Sequence, residues 1–143
     1  MRPIGVIQSP FTDLSQTPIQ SSRSTAVGQV QVLPEYAEGL DDLEGFSHII
    51  LLYVLHRSTG YDLKVKPFLD DIAHGLFSTR YPRRPNPIGI SVVKLLSRDG
   101  IILNIEGVDV IDGTPLLDIK PYVRDFDVRL DTRSGWYEVR SVK

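Results

Sequence analysis

Phe46-Ser47-His48-Ile49-Ile50-Leu51-Leu52-Tyr53-Val54-Leu55 is the strongest strand pattern of the chain, and Ile49 to Leu55 within it is the longest apolar run. Isoleucine, valine, leucine and tyrosine at consecutive positions favour a strand, and apolar residues on both faces place that strand inside a sheet or a barrel wall. The stretch is far too short to span a bilayer, which takes about 20 apolar residues. Working outward, Val27 to Leu33 alternates apolar and polar residues and reads as a half-buried strand. Ser91 to Leu96 and Ile101 to Val110 read as two more strands joined by a turn at Arg98-Asp99-Gly100. Ile4 to Ile7, Leu116 to Ile119, Asp127 to Leu130 and Trp136 to Val142 are shorter strand candidates. Pro34 to Leu43 predicts a short helix, with Pro34 at its start and Glu35 in its first turn. Helical segments do not alternate with these strands, so a doubly wound nucleotide-binding sheet is not expected. The expectation is a mostly-β, single-domain β-barrel over residues 1–143, with short connecting helices.

Composition bounds the chemistry. The chain has 143 residues, of which 41% are hydrophobic and 24% charged, a balance that supports one packed core. It has no cysteine, which removes disulfides, thiolate-bound zinc, iron–sulfur clusters and a thiol nucleophile. The first residues, Met1-Arg2-Pro3-Ile4-Gly5, show no apolar secretory region, so the expected location is the cytoplasm, without membrane association. The formal net charge is −2, so any nucleic-acid contact has to come from a local basic patch.

Two segments stand out. Phe77-Ser78-Thr79-Arg80-Tyr81-Pro82-Arg83-Arg84-Pro85-Asn86-Pro87-Ile88-Gly89 carries three prolines that deprive the backbone of donors and favour extended geometry. A stiff loop bearing Arg80, Arg83, Arg84 and Asn86 suits phosphate or carboxylate recognition; the alternative is a solvated loop whose arginines pair with nearby carboxylates. If the loop is extended, Arg83 and Arg84 turn to opposite sides. The second segment, Val108-Asp109-Val110-Ile111-Asp112-Gly113-Thr114-Pro115-Leu116-Leu117-Asp118-Ile119-Lys120-Pro121-Tyr122, sets Asp109, Asp112 and Asp118 around an Asp-Gly-Thr-Pro turn. Asp112 either serves chemistry or only caps that turn. The spacing matches neither a calcium loop nor a zinc site, and no metal is expected. His48 and His56, eight residues apart, would share a face of one continuous strand. No nucleophile motif accompanies them.

The opening Pro3-Ile4-Gly5-Val6-Ile7-Gln8-Ser9-Pro10-Phe11, the loop Thr17-Pro18-Ile19-Gln20, Gly45-Phe46-Ser47-His48 and the two segments above occur in this order. Together they resemble the TsaA-like family, also called the tRNA methyltransferase O family. The resemblance implies a β-barrel, often homodimeric, that uses S-adenosyl-L-methionine to methylate the exocyclic N6 amine of threonylcarbamoyladenosine beside the anticodon of threonine tRNA. It places cofactor contacts on Pro18, Ile19, Gln20, His56, Arg57, Arg80, Val108, Asp109, Val110, Ile111 and Asp112. The family's Arg-Pro-Asn loop falls on Arg84-Pro85-Asn86. Arg83, Arg84, Asn86, Lys120 and Arg124 are the expected tRNA contacts. Asp109, Asp112, Asp118 and His56 are the groups able to accept the proton that the amine must lose. Ile19 stands where the family often has a basic residue, and the additional carboxy-terminal domain of bacterial members has no counterpart in this sequence. Two other readings remain open: a module that binds S-adenosylmethionine or RNA without catalysis, and a methyltransferase for another acceptor.

Overall fold

The computed structural model describes residues 1–13, 16–18 and 24–141. Eight strands are found among them: β1 (Gly5–Gln8), β2 (Val27–Val32), β3 (His48–Val54), β4 (Lys64–Val65), β5 (His74–Gly75), β6 (Ile88–Asp99), β7 (Ile102–Glu106) and β8 (Thr114–Pro121). Six of them close into an antiparallel barrel in the order β1-β2-β7-β6-β3-β8. The expected mostly-β barrel with short helices is therefore what the chain forms.

Strict alternation builds the wall. In β2, Gly28, Val30 and Val32 are buried while Val27, Gln29 and Gln31 are exposed. Ile49, Leu51 and Tyr53 of β3 point inward, and the intervening Ile50, Leu52 and Val54 are half-buried on the outside. β3 lies between β6 and β8, the central place expected of a strand apolar on both faces. Inside, Ile7, Val30, Ile49, Leu103, Ile105 and Leu116 have no exposed surface. Burying each such side chain is worth roughly 1.5–3 kcal/mol. Closure also leaves no unpaired strand edge in this sheet.

Four sequence expectations are corrected. The strand read as Ile101 to Val110 stops at Glu106, because Gly107 takes φ 99° and turns the chain out of the ladder. Asp127 to Leu130 is not a strand. Helix α1 (Arg124–Asp127) ends on the first residue of that stretch and 128–130 are irregular; the Asp127 carboxylate accepts the Val123 N–H at 2.7 Å, a local bond that competes with extended pairing. Trp136 to Val142 also fails as a strand. Gly135, at φ 51°, starts helix α2 (Gly135–Ser141), while Val142 lies outside the described residues. Finally, His48 and His56 do not share a face. β3 ends at Val54, and His56 sits in the following turn, its N–H bonded to the Val54 carbonyl at 2.9 Å. The two histidines thus lie at opposite ends of the strand.

The helix expected over Pro34 to Leu43 is a 3₁₀ helix, Pro34–Leu40, with a second short one at Leu43–Gly45. Arg98 ties this connection down, donating to the Leu40 carbonyl and lying 3.2 Å from the Glu44 carboxylate.

The chain divides into two compact units. One is the barrel, Met1–His56 with Ile88–Tyr122; the other comprises Arg57–Pro87 and the chain from Val123 onward. The second unit contains the two-residue ladder of β4 with β5, and few buried side chains, among them Val65, Leu76 and Thr79. Trp136 stacks on His74 at 4.8 Å and donates from Nε1 to the Ser78 carbonyl at 2.8 Å. His74 in turn meets the Asp70 carboxylate at 2.6 Å. No described helix is long and apolar enough to cross a membrane.

Candidate functional site

The strand register gathers three connections at one end of the barrel. β1 ends at Gln8 beside the start of β2, and β7 ends at Glu106 opposite Val27. β3 ends at Val54 opposite Ile88, and β8 starts at Thr114 opposite Ile7. Residues 9–13 and 24–26, the exit at His56 with the return at Ile88, and residues 107–113 therefore all belong to this end.

Residues 107–113 are fastened from both sides. Gly107 N–H donates to the Ala26 carbonyl at 2.9 Å, and Ser24 Oγ donates to the Val108 carbonyl at 2.6 Å. From the other side, Ser9 Oγ donates to the Val110 carbonyl at 2.6 Å. The Asp112 N–H reaches the Phe11 carbonyl at 2.7 Å, and the Asp112 carboxylate accepts the Ser9 N–H at 3.0 Å. Val108, Val110 and Ile111 are buried, so they anchor the segment in the core. At Gly28 a Cβ would collide first with the Gln8 carbonyl oxygen, at 2.5 Å, and would also crowd Val108 Cγ1 at 3.2 Å. A loop held by this many bonds presents its polar groups with little freedom left to lose on binding a ligand.

Asp109, half-buried within this segment, accepts a hydrogen bond from Ser91 Oγ at 2.6 Å. Ser91 Oγ is in turn 2.7 Å from the Tyr53 hydroxyl, and the pair is buried. Asp112 has the capping role that its turn foreshadowed, with its carboxylate exposed. Half-buried Pro18 belongs to the same unit; Ile19 and Gln20 lie outside the described residues. His56 is exposed in its turn.

Asp118 and Lys120 are elsewhere. They stand on the outer wall, opposite Leu52 and Ile50 of β3, and form an ion pair at 2.9 Å. Lys120 is near the far end of the barrel, where the Tyr122 N–H meets the His48 carbonyl at 3.1 Å. The structure thus brings Asp109 and Asp112 together with the three connections and leaves Asp118 and Lys120 on the wall.

The arginine-rich loop belongs to the second unit and bends instead of running extended. Arg84 folds back on it, Nη1 donating to the Tyr81 carbonyl at 2.9 Å and the Thr79 carbonyl at 3.0 Å, with its guanidinium 5.8 Å from the Phe77 ring centre. Prolines at positions 82, 85 and 87 fix backbone angles but do not prevent a turn between them. Arg83 donates from Nε to the Thr59 carbonyl at 3.0 Å. Arg57, Arg80, Asn86 and Arg124 are exposed in the same unit. Among the described residues no group of three or more potential ligands is placed to hold a metal ion.

Four site residues escaped the sequence reading: Ser9, Ser24, Tyr53 and Ser91. The last two left a signal. A tyrosine and a serine at inward positions of otherwise aliphatic strands each need a hydrogen-bond partner.

The chain is thus a closed β-barrel whose rigid strands position a candidate site on a stapled, carboxylate-bearing loop at one end. The chain belongs to the tRNA-methyltransferase O N-terminal domain family, whose model matches residues 6–128. It is 56% identical over 138 residues to a probable S-adenosyl-L-methionine-binding protein of Pyrococcus abyssi, covering 96% of this chain and 75% of that one. It is 40% identical over 133 residues to the tRNA (adenine(37)-N6)-methyltransferase of Mus musculus, covering 87% of this chain and 31% of the mouse protein. A crystal structure of TrmO superposes with a TM-score of 0.80 at 41% identity, over 94% of this chain and 62% of that one. The chain therefore spans about three fifths of the TrmO chain and under a third of the mouse enzyme.

Proposed function

We propose that this chain is an S-adenosyl-L-methionine-dependent methyltransferase that methylates the N6 amine of threonylcarbamoyladenosine next to the anticodon of threonine tRNA. The observation that carries the reading is the fastened 107–113 segment, which holds Asp109 and Asp112 at the connection-rich end of a barrel of this family. The donor set fits the cofactor. S-adenosylmethionine bears an ammonium, ribose hydroxyls and a carboxylate. Carboxylates at Asp109 and Asp112 suit the first two, and a guanidinium such as Arg80 suits the third. Pro18, Ile19, Gln20, His56, Arg57 and residues 108–112 complete the proposed contacts.

When bound, the cofactor supplies a methyl group on a sulfonium that an amine displaces in line. The protein's part is to hold donor and acceptor in register, which is where most of the rate enhancement for such a step can arise. The proton left on the amine then needs an acceptor. Of Asp109, Asp112, Asp118 and His56, the geometry favours Asp109, which is half-buried and oriented, over Asp118, which is paired on the outer wall. Arg83, Asn86 and Arg124 are proposed to meet the tRNA backbone.

A partner of the same sequence is also proposed. Ile50, Leu52 and Val54 pair across the strands with Val92, Ile90 and Ile88, giving a cluster of six apolar side chains on the outer wall, bordered on β8 by the Asp118–Lys120 ion pair, with Ile90 47% exposed. Such a face suits a second copy better than a polyanion. Sedimentation should show a dimer that Ile90→Lys dissociates; a monomer at high concentration overturns this.

The alternative of binding without catalysis has one observation behind it. Arg84 and Lys120, two of the expected tRNA contacts, are occupied by intramolecular partners. Calorimetry with S-adenosylmethionine, followed by labelled methyl transfer to tRNA, separates the readings. Binding with transfer supports the enzyme, binding without transfer supports the module, and absence of both overturns the two together.

A further inference from the structure

The Tyr53–Ser91 pair is unusual for its place. Both residues point into the barrel, each 4% exposed, on strands whose other inward side chains are Ile49, Leu51, Val93 and Leu95. Aliphatic residues would fill that space without needing partners, so the hydroxyls require another explanation. Their proton order follows from stoichiometry. A serine hydroxyl has one proton, and Ser91 gives it to Asp109 Oδ1 at 2.6 Å, which leaves its oxygen to accept from Tyr53 at 2.7 Å. Each hydroxyl then donates in the direction of one carboxylate, Tyr53 to Ser91 and Ser91 to Asp109.

The backbone is shaped for this relay. Tyr53 pairs across the strands with Gly89, and its ring lies over that glycine to reach Ser91 two residues further on. A Cβ on Gly89 would stand 2.8 Å from the ring Cζ, so a side chain there would displace the ring. The glycine closing the Pro87-Ile88-Gly89 stretch is thus a seat for Tyr53.

The relay is not needed to hold the 107–113 loop, which Ser9, Ser24, Ala26 and Phe11 already fasten through backbone atoms and Asp112. The Ser91 bond instead engages the Asp109 side chain itself, at Oδ1. We infer that Ser91, aimed by Tyr53 across Gly89, is a positioning residue that orients the Asp109 carboxylate for the cofactor. This rests on the reading of Asp109 as a cofactor contact given above.

Calorimetric titration of S-adenosylmethionine into the full chain and its variants is the test, with melting temperatures recorded alongside. Asp109→Asn should weaken binding at least about tenfold, and Ser91→Ala about tenfold, the size of one charge-assisted hydrogen bond. Tyr53→Phe, which keeps the ring and its packing, should weaken it several-fold with little change in melting temperature. In the Asp109→Asn background, Ser91→Ala should cause no further loss, because the carboxylate it orients is gone. Affinity for tRNA should stay unchanged in Tyr53→Phe. Losses that multiply in the double variant overturn the inference, as does wild-type affinity in both Ser91→Ala and Tyr53→Phe while Asp109→Asn is impaired. Wild-type affinity in Asp109→Asn removes Asp109 from the site and the inference with it. A wild-type chain that shows no binding defeats the proposed function itself.

Discussion

The barrel and the second unit solve the burial problem differently. In the barrel, alternation turns mostly aliphatic side chains inward, and closure covers them. The segments 57–87 and 123–141 leave Phe68, Phe77, Phe126 and Leu130 at 70% exposure or more. They are held by individual contacts, such as the Trp136 stack on His74 and the fold-back of Arg84. The difference teaches where precision resides. A dense core can hold a carboxylate in one orientation, whereas a unit tied by single bonds can open locally at small cost. The proposed cofactor carboxylates Asp109 and Asp112 fall in the barrel, and the proposed tRNA contacts Arg83, Asn86 and Arg124 fall in the other unit, together with Arg57 and Arg80, which are proposed for the cofactor.

Truncation is the largest test of the contrast. Leu103→Ala in the barrel, where the side chain has no exposed surface, should cost about 2–5 kcal/mol. Phe68→Ala, at 76% exposure, should stay within about 0.5 kcal/mol of the wild type. Denaturant unfolding that gives the two equal costs would break the comparison. Glycine replacement sharpens it. Gly89→Ala forces a methyl into the Tyr53 ring and should cost about 1–3 kcal/mol. Gly75→Ala, with open space around the new carbon, should be close to neutral. Next in size, Trp136→Ala removes a stack and a hydrogen bond and should make opening of α2 easier by about 1 kcal/mol. Amide exchange should accelerate over residues 135–141 and leave the barrel strands as protected as before.

The smallest effect concerns acid. A backbone hydrogen bond first, and the Arg98 side chain second, hold the exposed Glu44 carboxyl below its ordinary value. A lowered folded-state value gives stability that is present above the unfolded value and lost as pH falls through the folded one. Arg98→Ala should therefore lower the melting temperature slightly near neutrality, with the difference shrinking in acid as Glu44 is protonated. A difference that grows in acid would contradict the sign.

Legibility followed the same line. The barrel strands could be read because period-two alternation and β-branched residues point to one answer, as in Val27 to Leu33 and Phe46 to Leu55. The carboxy-terminal segments misled because Asp127-Val128-Arg129-Leu130 and Trp136-Tyr137 resemble strands in composition, yet the Asp127 carboxylate bonds back to the Val123 N–H and Gly135 turns the chain into a helix. In the candidate site, the clustering of Asp109 and Asp112 on one loop was legible from their turn. The partner of Asp109 was not, since Ser91 is 18 residues away and only the register of β3 against β6 brings Tyr53 to it. Arg84 looked like a ligand group because sequence cannot show that a guanidinium bonds to carbonyls of its own loop.

Methyl transfer tests the central claim most directly. Threonine tRNA bearing threonylcarbamoyladenosine is incubated with the chain and S-adenosylmethionine carrying an isotope-labelled methyl group, then digested and analysed by nucleoside mass spectrometry. The account predicts that threonylcarbamoyladenosine gains a single labelled methyl on N6, and that Asp109→Asn forms much less of it while Asp118→Asn retains activity. A chain that binds the cofactor yet leaves every tRNA nucleoside unlabelled would contradict it.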